Sequence, residues 1–292
     1  MTRWPNLFIV GAPRAGTTSL HEYLDQIPGI FMSPLKEPAF FSLDTEYTRY
    51  IKYSPTDEKK YLNLFEKVTD EKYVGESSTV YLSNPKTPER IFEKSPHARI
   101  IISLRDPVER AFSHYFHHFK IDLKSIQKSF DEQVRIELQR GTDFNQYDIR
   151  LEAGLYFDAI RRYMKIFGKD KVKILIFEEF IKNVTLTIRD ILEFLEMNSA
   201  VDNFNNQIYN ASFGPRGRIS NIILRSEIIG KLATGLIPKP SRKFLKEKIL
   251  LSKRKIKMSQ KTRDLLINFY QDDVNKLQHF LGRKLPWPNF KN

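Results

Sequence analysis

The chain has 292 residues, of which 41% are hydrophobic and 28% are charged. It is long enough for one large domain or two small ones and apolar enough to bury a core, so wholesale disorder is excluded. The sequence contains no cysteine, which excludes disulfides, thiolate-bound zinc, iron–sulfur clusters and a cysteine nucleophile. The amino-terminal apolar run covers only Leu7–Val10. We therefore expect neither a signal peptide nor a membrane span. We also expect the protein to be cytoplasmic.

The net charge of +13 is concentrated in one segment. Residues 215–263 contain 15 Lys or Arg and two acidic residues, whereas the rest of the chain carries 33 of each sign. A neutral body with one basic segment is not typical of a nucleic-acid-binding protein, so we expect no nucleic acid partner. Aliphatic and cationic residues interleave in a helical pattern over 219–258. This pattern is typical of peripheral contact with an anionic membrane, but it also suits a helix pair that covers the protein body or attracts an acidic glycan.

Short apolar runs alternate with helical patterns along the first two hundred residues. The predicted strands are 7–10, 73–75, 99–104 and 172–177, and the predicted helices are 17–24, 108–119, 156–167 and 185–195. The alternation predicts an α/β fold in which helices flank a central parallel sheet. An amphipathic helix is predicted at 259–281. We expect a single domain over 1–292.

The segment from Gly11 to Thr18 lies between the first predicted strand and the first predicted helix. A glycine-rich loop at a helix amino terminus offers backbone N–H groups and a positive dipole end, which together suit a phosphate. The spacing of Gly11 and Gly16 equals that of a nucleotide-hydrolase P-loop, but Thr17 occupies the position of the lysine. A nucleoside-triphosphate-dependent phosphotransferase with an aberrant P-loop stays an alternative, as does a plain helix cap with glycine in a tight turn.

Three motifs in order resemble those of the sulfotransferases that use 3′-phosphoadenosine 5′-phosphosulfate (PAPS). Residues 13–18, Pro-Arg-Ala-Gly-Thr-Thr, resemble the loop that holds the 5′-phosphosulfate. Arg105 follows an apolar strand and precedes Ser113 by eight residues, which resembles the 3′-phosphate site. Phe213 and the Arg-Gly-Arg of 216–218 resemble the basic loop that closes over that phosphate and adenine.

The resemblance implies that PAPS is the co-substrate and that no metal takes part. It assigns PAPS binding to a set of residues in these three motifs: Arg14, Ala15, Gly16, Thr17, Thr18, Ser19, Arg105, Ser113, Phe213, Arg216, Gly217 and Arg218.

Residues 36–41, Lys-Glu-Pro-Ala-Phe-Phe, resemble a motif of the bacterial and heparan-sulfate-type (carbohydrate) branch. There the resemblance implies that Glu37 is the catalytic base and that Arg14 is a fixed cation at the leaving phosphate. Lys36, Ser77 and His114 are expected on the substrate side, although some relatives place a lysine at the position of Ser77. The expected acceptor is a hydroxyl or amine on a carbohydrate, a glycolipid or another small molecule.

Each motif also has a plainer interpretation. Lys36 and Glu37 suit a solvated surface pair, Arg105 suits an ion pair with Asp106 or Glu109, and residues 216–218 suit a solvated basic turn. His114 and His118 lie four residues apart, as metal ligands on a helix do, but no third ligand is evident in the sequence. A non-catalytic module that binds an anionic polymer is the remaining alternative to an enzyme.

Overall fold

The protein is described by a computed structural model that covers most of the chain. The described residues are 3–43, 54–121, 128–140, 149–198 and 258–291, together with the backbone of 214–215 and 251–252. The side chains of 118–121 lie outside this description. The chain divides into two compact units, one made of residues 1–110, 152–210 and 269–292 and the other of residues 111–151 and 211–268.

A five-stranded sheet forms the centre of the first unit. Its strands are β1 (Leu7–Gly11), β2 (Ile30–Met32), β3 (Tyr73–Ser77), β4 (Arg99–Leu104) and β5 (Val172–Ile176). All the pairings are parallel and the strand order is β2-β3-β1-β4-β5. Every residue of the central strand β1 is buried, as expected for a parallel strand covered on both faces. The predicted central parallel sheet is confirmed.

In addition to short 3-10 helices, nine α-helices lie within the described residues. They are α1 (Thr17–Leu24), α2 (Glu58–Leu62), α3 (Thr87–Lys94), α4 (Pro107–Ile121), α5 (Phe130–Arg140), α6 (Phe157–Phe167), α7 (Phe177–Phe180), α8 (Val184–Phe194) and α9 (Gln260–Leu281). Leu20 and Leu24 of α1 share a buried cluster with Ile9 of β1 and with Ile188 and Ile191 of α8. This apolar cluster holds α1 against the sheet.

Several elements differ from the sequence-based expectations. Strand β3 continues through Ser77 rather than ending at residue 75. Strand β2 and the helices α2, α3, α5 and α7 were not expected, since each is short or lacks a strong apolar period. Phe177, predicted as the last residue of a strand, begins α7. No helix in the described part of the chain has the length and hydropathy needed to cross a bilayer.

The basic segment 219–258 lies almost wholly outside the described residues. In the second unit, β6 (Gly214–Pro215) pairs antiparallel with β7 (Leu251–Ser252). A helix was expected at residues 251 and 252. They are extended instead, because their backbone groups pair with a neighbouring strand. A single domain over 1–292 stays a prediction.

The connectivity of the sheet brings three loops to one edge. Strand β1 lies between β3 and β4, so the loops that follow these three parallel strands begin at the same, carboxyl-terminal edge of the sheet. A crevice forms at this edge where consecutive connections leave in opposite directions, and it is the usual ligand site of such sheets.

Candidate functional site

The loop between β1 and α1 has a backbone shape that requires glycine at its end. Gly16 precedes α1 with a φ of 81°, in the left-handed region that glycine adopts at no steric cost. A Cβ atom at Gly16 would lie 2.9 Å from Cδ2 of Phe177. Because glycine has no side chain to cap α1, the helix presents its first N–H groups and positive dipole end toward this loop.

The loop is fastened to β4 by two short hydrogen bonds. The Ala12 N–H donates to the Ser103 carbonyl at 2.6 Å, and the Ser103 hydroxyl donates to the Ala15 carbonyl at 2.6 Å. The Ala15 N–H donates to the Ala12 carbonyl at 3.2 Å. Ala15 was expected to bind the phosphosulfate. In this conformation its amide instead forms a hydrogen bond within the loop and closes a turn.

Arg105 connects the end of β4 to the same loop. Its Nη1 donates to the Arg14 carbonyl at 3.0 Å, and its guanidinium carbon lies 4.8 Å from the ring centroid of Phe177. The Tyr156 hydroxyl donates to the Arg105 carbonyl at 2.9 Å. Arg105 is thus held by its backbone and by an aromatic face, and the two motifs expected to bind the two phosphates of one nucleotide lie in direct contact.

Positive charge accumulates at this contact. Burial and, to a smaller extent, the nearby charges of Arg105 and Arg110 together lower the pKa of Arg14 to about 10. Burial also lowers the pKa of Arg105, against the opposing influence of Glu178 and other acidic neighbours. Guanidinium groups stay charged at neutral pH under these shifts. Like charges held together in this way suit a polyanion, so the residues present fit the phosphate groups of a nucleotide.

The carboxy-terminal residues brace the turn after Arg105. Asp106 Oδ1 accepts from the Val108 N–H at 3.0 Å, and Asp106 Oδ2 accepts from Asn289 Nδ2 at 2.8 Å. Glu178 accepts from the Asp106 N–H at 3.1 Å through Oε1 and from Trp287 Nε1 at 3.1 Å through Oε2. Asp106 therefore caps α4 and anchors residue 289. The sequence suggested another role for Asp106, as the partner of Arg105 in an ion pair.

Glu37 is fixed beside the end of β3. Its Oε2 accepts from the Thr79 N–H at 2.7 Å, and its Oε1 lies 2.7 Å from Nζ of Lys36. Its own N–H donates to the Ser77 carbonyl at 2.9 Å. The Glu37 side chain is 31% exposed, so the carboxylate is held in place yet reaches solvent. Lys36 and Glu37 thus form an ion pair. It is partly buried and its Glu37 is hydrogen-bonded to residues 77 and 79, so it differs from a fully solvated surface pair.

His21 joins β3 to the helix that starts at the phosphate loop, a role that sequence reasoning missed. His21 Nδ1 lies 2.8 Å from the Ser77 hydroxyl oxygen, and Ser77 is fully buried in β3 rather than exposed in a loop. Burial and the charge of Lys36 lower the pKa of His21 to about 4. The imidazole is therefore neutral at physiological pH. A histidine one turn after Thr17, beside Leu20 and Leu24, is the signal that the sequence offered.

The remaining residues that were predicted for the site lie in different parts of the chain, and some lie outside the described residues. Thr17 and Ser19 are buried in the first turn of α1 and Thr18 is half-buried. Ser113 and His114 are buried on α4 in the second unit, and their placement relative to Arg105 stays a prediction. Residues 213 and 216–218 lie outside the described residues, as does the side chain of His118. Glu76 lies beyond the predicted strand 73–75, but it belongs to β3 and is fully buried.

Comparison with known proteins identifies the family. The family described as "Sulfotransferase domain" matches residues 5–215. The crystal structure of a sulfotransferase from Alicyclobacillus acidocaldarius is 29% identical, with a TM-score of 0.72 over 97% of both chains.

Two curated relatives match smaller parts of their own length. The membrane-associated sulfotransferase kil1 of Dictyostelium discoideum is 34% identical over 125 residues, covering 43% of this chain and 25% of the relative. Human carbohydrate sulfotransferase 15 is 26% identical over 247 residues, covering 66% of this chain and 44% of the relative. The chain thus spans less than half the length of these curated relatives. Because the family match extends over more than half of this chain and includes the phosphate loop and Arg105, the chain belongs to the sulfotransferase domain family.

Proposed function

We propose that this protein transfers a sulfuryl group from PAPS to a hydroxyl or amine of an acceptor, without a metal. The observation that carries the proposal is the hydrogen bond from Arg105 to the Arg14 carbonyl. It joins the loop suited to a 5′-phosphosulfate with the strand end suited to a 3′-phosphate. A nucleotide with phosphates at both ends of its ribose is the ligand that such a paired cationic site fits.

The reaction assigns one role to each of two described residues. The Glu37 carboxylate takes the acceptor proton while the acceptor oxygen or nitrogen forms its bond to sulfur. The bond between sulfur and the bridging oxygen of the 5′-phosphate breaks at the same centre. Arg14 acts as a fixed cation that stabilises the negative charge on the departing adenosine 3′,5′-bisphosphate. Thr17 and Thr18, with the N–H groups of the first turn of α1, hold the sulfonate and 5′-phosphate oxygens.

We assign the acceptor to the carbohydrates or glycolipids. Two features support this assignment: Glu37 stands in the motif of the carbohydrate branch, and relatives of this chain are named carbohydrate and heparan sulfate sulfotransferases. Lys36 lies beside Glu37 at 2.7 Å and is 23% exposed, so it is available to meet an acceptor. His114 and Ser77 complete the proposed substrate side, although the Ser77 hydroxyl is buried and lies 2.8 Å from Nδ1 of His21.

Calorimetric titration with three ligands tests the nucleotide assignment. Adenosine 3′,5′-bisphosphate should bind tightly, whereas ATP and an oligonucleotide should bind weakly or not at all. Preference for ATP would support a phosphotransferase, and preference for the oligonucleotide would support an anionic-polymer-binding module. A screen with labelled PAPS against glycans, lipids and small alcohols then identifies the acceptor class.

A second proposal concerns peripheral contact with an anionic membrane. The basic segment 219–258 supports it, as does the name of the membrane-associated relative from Dictyostelium discoideum. Each Lys or Arg close to an anionic surface contributes about 1 kcal/mol. Binding to anionic liposomes should therefore fall with salt and be lost when Lys253, Arg254, Lys255 and Lys257 are changed to Glu. Equal binding to neutral vesicles, or none at low salt, would reject the contact. The cytoplasmic location expected from the sequence stays a prediction.

A further inference from the structure

A buried carboxylate lies next to residues 33–43, the segment after β2 that carries Glu37 (the Glu37 loop), and hydroxyl groups surround this carboxylate. Glu76 of β3 is fully buried. Its Oε1 accepts from the Tyr61 and Tyr81 hydroxyls at 2.9 and 2.7 Å, and its Oε2 accepts from the Ser78 hydroxyl at 2.7 Å. A carboxylate is costly to bury unless donors surround it. Here three hydroxyl dipoles supply that stabilisation, and two of the three also contact the loop that carries Glu37.

These two hydroxyls accept hydrogen bonds from the backbone of the loop. The Ser78 hydroxyl oxygen accepts from the Ala39 N–H at 2.9 Å, and the Tyr81 hydroxyl oxygen accepts from the Phe41 N–H at 3.3 Å. Each hydroxyl thus donates to Glu76 and accepts from the loop. A hydroxyl that donates to a carboxylate is polarised and becomes a better acceptor. The carboxylate therefore orients both hydroxyls toward the loop amides.

The loop needs such support because its backbone is held in an uncommon conformation. Glu37 has a φ of 60° and Ala39 a φ of 54°, both in the left-handed region that residues with a Cβ seldom occupy. Backbone of this kind persists only where surrounding contacts fix it. The Glu37 N–H bond to the Ser77 carbonyl fixes one end of the turn. The Ser78 and Tyr81 hydroxyls fix the other end.

We infer that Glu76 is a positioning residue, which through Ser78 and Tyr81 holds the loop that presents Glu37 to the acceptor. The inference rests on the sulfuryl transfer proposed above only for the role of Glu37. The hydrogen-bonding role of Glu76 does not depend on the substrate. The ionised carboxylate is an acceptor only and so orients all three hydroxyls as donors, whereas a protonated carboxyl group adds a competing O–H donor among them.

The charge state of Glu76 provides a second readout. Burial raises the pKa of Glu76 to about 7, with the charge of Glu37 adding to the rise and the three hydroxyl bonds opposing it. The other titratable groups that face it are Tyr61, Tyr81 and Tyr163, and burial holds the pKa of each of these phenols well above its ordinary value. They stay neutral while Glu76 titrates.

Amide hydrogen exchange of the full chain tests the inference without reference to turnover. In Glu76→Gln, exchange of the peptide covering 37–43 should accelerate by about tenfold or more while that of β1 stays unchanged. Tyr81→Phe should do the same. Tyr61→Phe is the matched control, since it also removes a hydroxyl from Glu76 Oε1 but leaves the loop amides with their acceptors. Ser78→Ala replaces Glu76→Gln if that variant does not fold.

Turnover as a function of pH provides the functional arm. We expect kcat in the parent protein to fall as the pH drops through about 7, and Glu76→Gln to have a lower kcat that lacks this inflection. The affinity for adenosine 3′,5′-bisphosphate should stay unchanged. Unchanged exchange at 37–43 in both Glu76→Gln and Tyr81→Phe would overturn the inference, as would equal acceleration throughout the sheet. If the loop responds as expected but no acceptor is sulfated, the proposed function fails and the hydrogen-bonding role of Glu76 stands.

Discussion

The guanidinium of Arg105 donates to the backbone carbonyl of Arg14 at 3.0 Å. This bond connects the loop after β1 to the loop after β4, although the two residues lie 91 positions apart in the chain. It also uses only part of the guanidinium, which carries five N–H donors. Displacement of Arg105 therefore disturbs both the cationic charge of the site and the shape of the phosphate loop.

Replacing Arg105 with Ala should weaken binding of adenosine 3′,5′-bisphosphate by about 2–4 kcal/mol, the scale for truncating one partner of a buried charge pair. Calorimetric titration measures this loss. Arg99→Ala is the matched control, because Arg99 begins the same strand, lies 5.2 Å from the ring of Phe194 and donates to a backbone carbonyl at 2.9 Å. Unchanged affinity in folded Arg105→Ala would remove this residue from the nucleotide site.

Replacing Glu37 with Gln should lower kcat by about two to four orders of magnitude. The amide oxygen still accepts from the Thr79 N–H, so the loop and the nucleotide affinity should be preserved. Steady-state assays with labelled PAPS measure the effect once an acceptor is known. The exposed Glu66→Gln provides a control of equal chemistry. If Glu37→Gln keeps most of its turnover, the base lies elsewhere and His114 is the next candidate.

Replacing Asn289 with Ala should lower the free energy of unfolding by about 1–3 kcal/mol, the cost of leaving a buried acceptor with one donor fewer. The acceptor is Asp106, which adjoins Arg105, so nucleotide affinity should fall as well. Urea denaturation and calorimetry measure the two effects. Asn275→Ala on the exposed face of α9 is the control. Lost stability with full nucleotide affinity would show that the carboxy-terminal residues do not help to position Arg105.

The parts of the site that could be predicted from the sequence are those with local signals. The apolar runs of β1 and β4 predict buried parallel strands, and the Gly-rich loop before α1 predicts an anion site. Glu37 was found only through its motif, because nothing in its local composition distinguishes it from a surface acid.

His21, Glu76 and Asn289 could not be predicted, because their roles depend on partners far away in the chain. His21 contacts a residue 56 positions away, and Asn289 one 183 positions away. Glu76 lies just beyond the predicted strand 73–75, so nothing in the sequence indicated that it belongs to the sheet. Its burial requires Tyr61 and Tyr81, and their convergence is a property of the fold.

Two buried groups near Ser77 should make opposite contributions to the pH dependence of stability. The pKa of Glu76 is raised from 4.5 to about 7, so the folded protein keeps a proton that the unfolded chain loses. Its contribution to stability is present below pH 4.5 and is lost as the pH rises to about 7. The pKa of His21 is lowered from 6.5 to about 4. Its contribution is present above pH 6.5 and is lost as the pH falls to about 4.

Between pH 4.5 and 6.5 the two contributions should largely cancel in the parent protein, and single substitutions should separate them. Relative to the parent, the free energy of unfolding of Glu76→Gln should rise with pH in this window, because the titration of His21 is then unopposed. That of His21→Gln should fall with pH for the converse reason. Each difference should approach about 3 kcal/mol across the full titration range. Urea denaturation at half-unit pH intervals measures the slopes, and groups common to all three proteins cancel in the comparison. Parallel profiles for the three proteins would show that Glu76 and His21 titrate at the same pH in the folded and unfolded states.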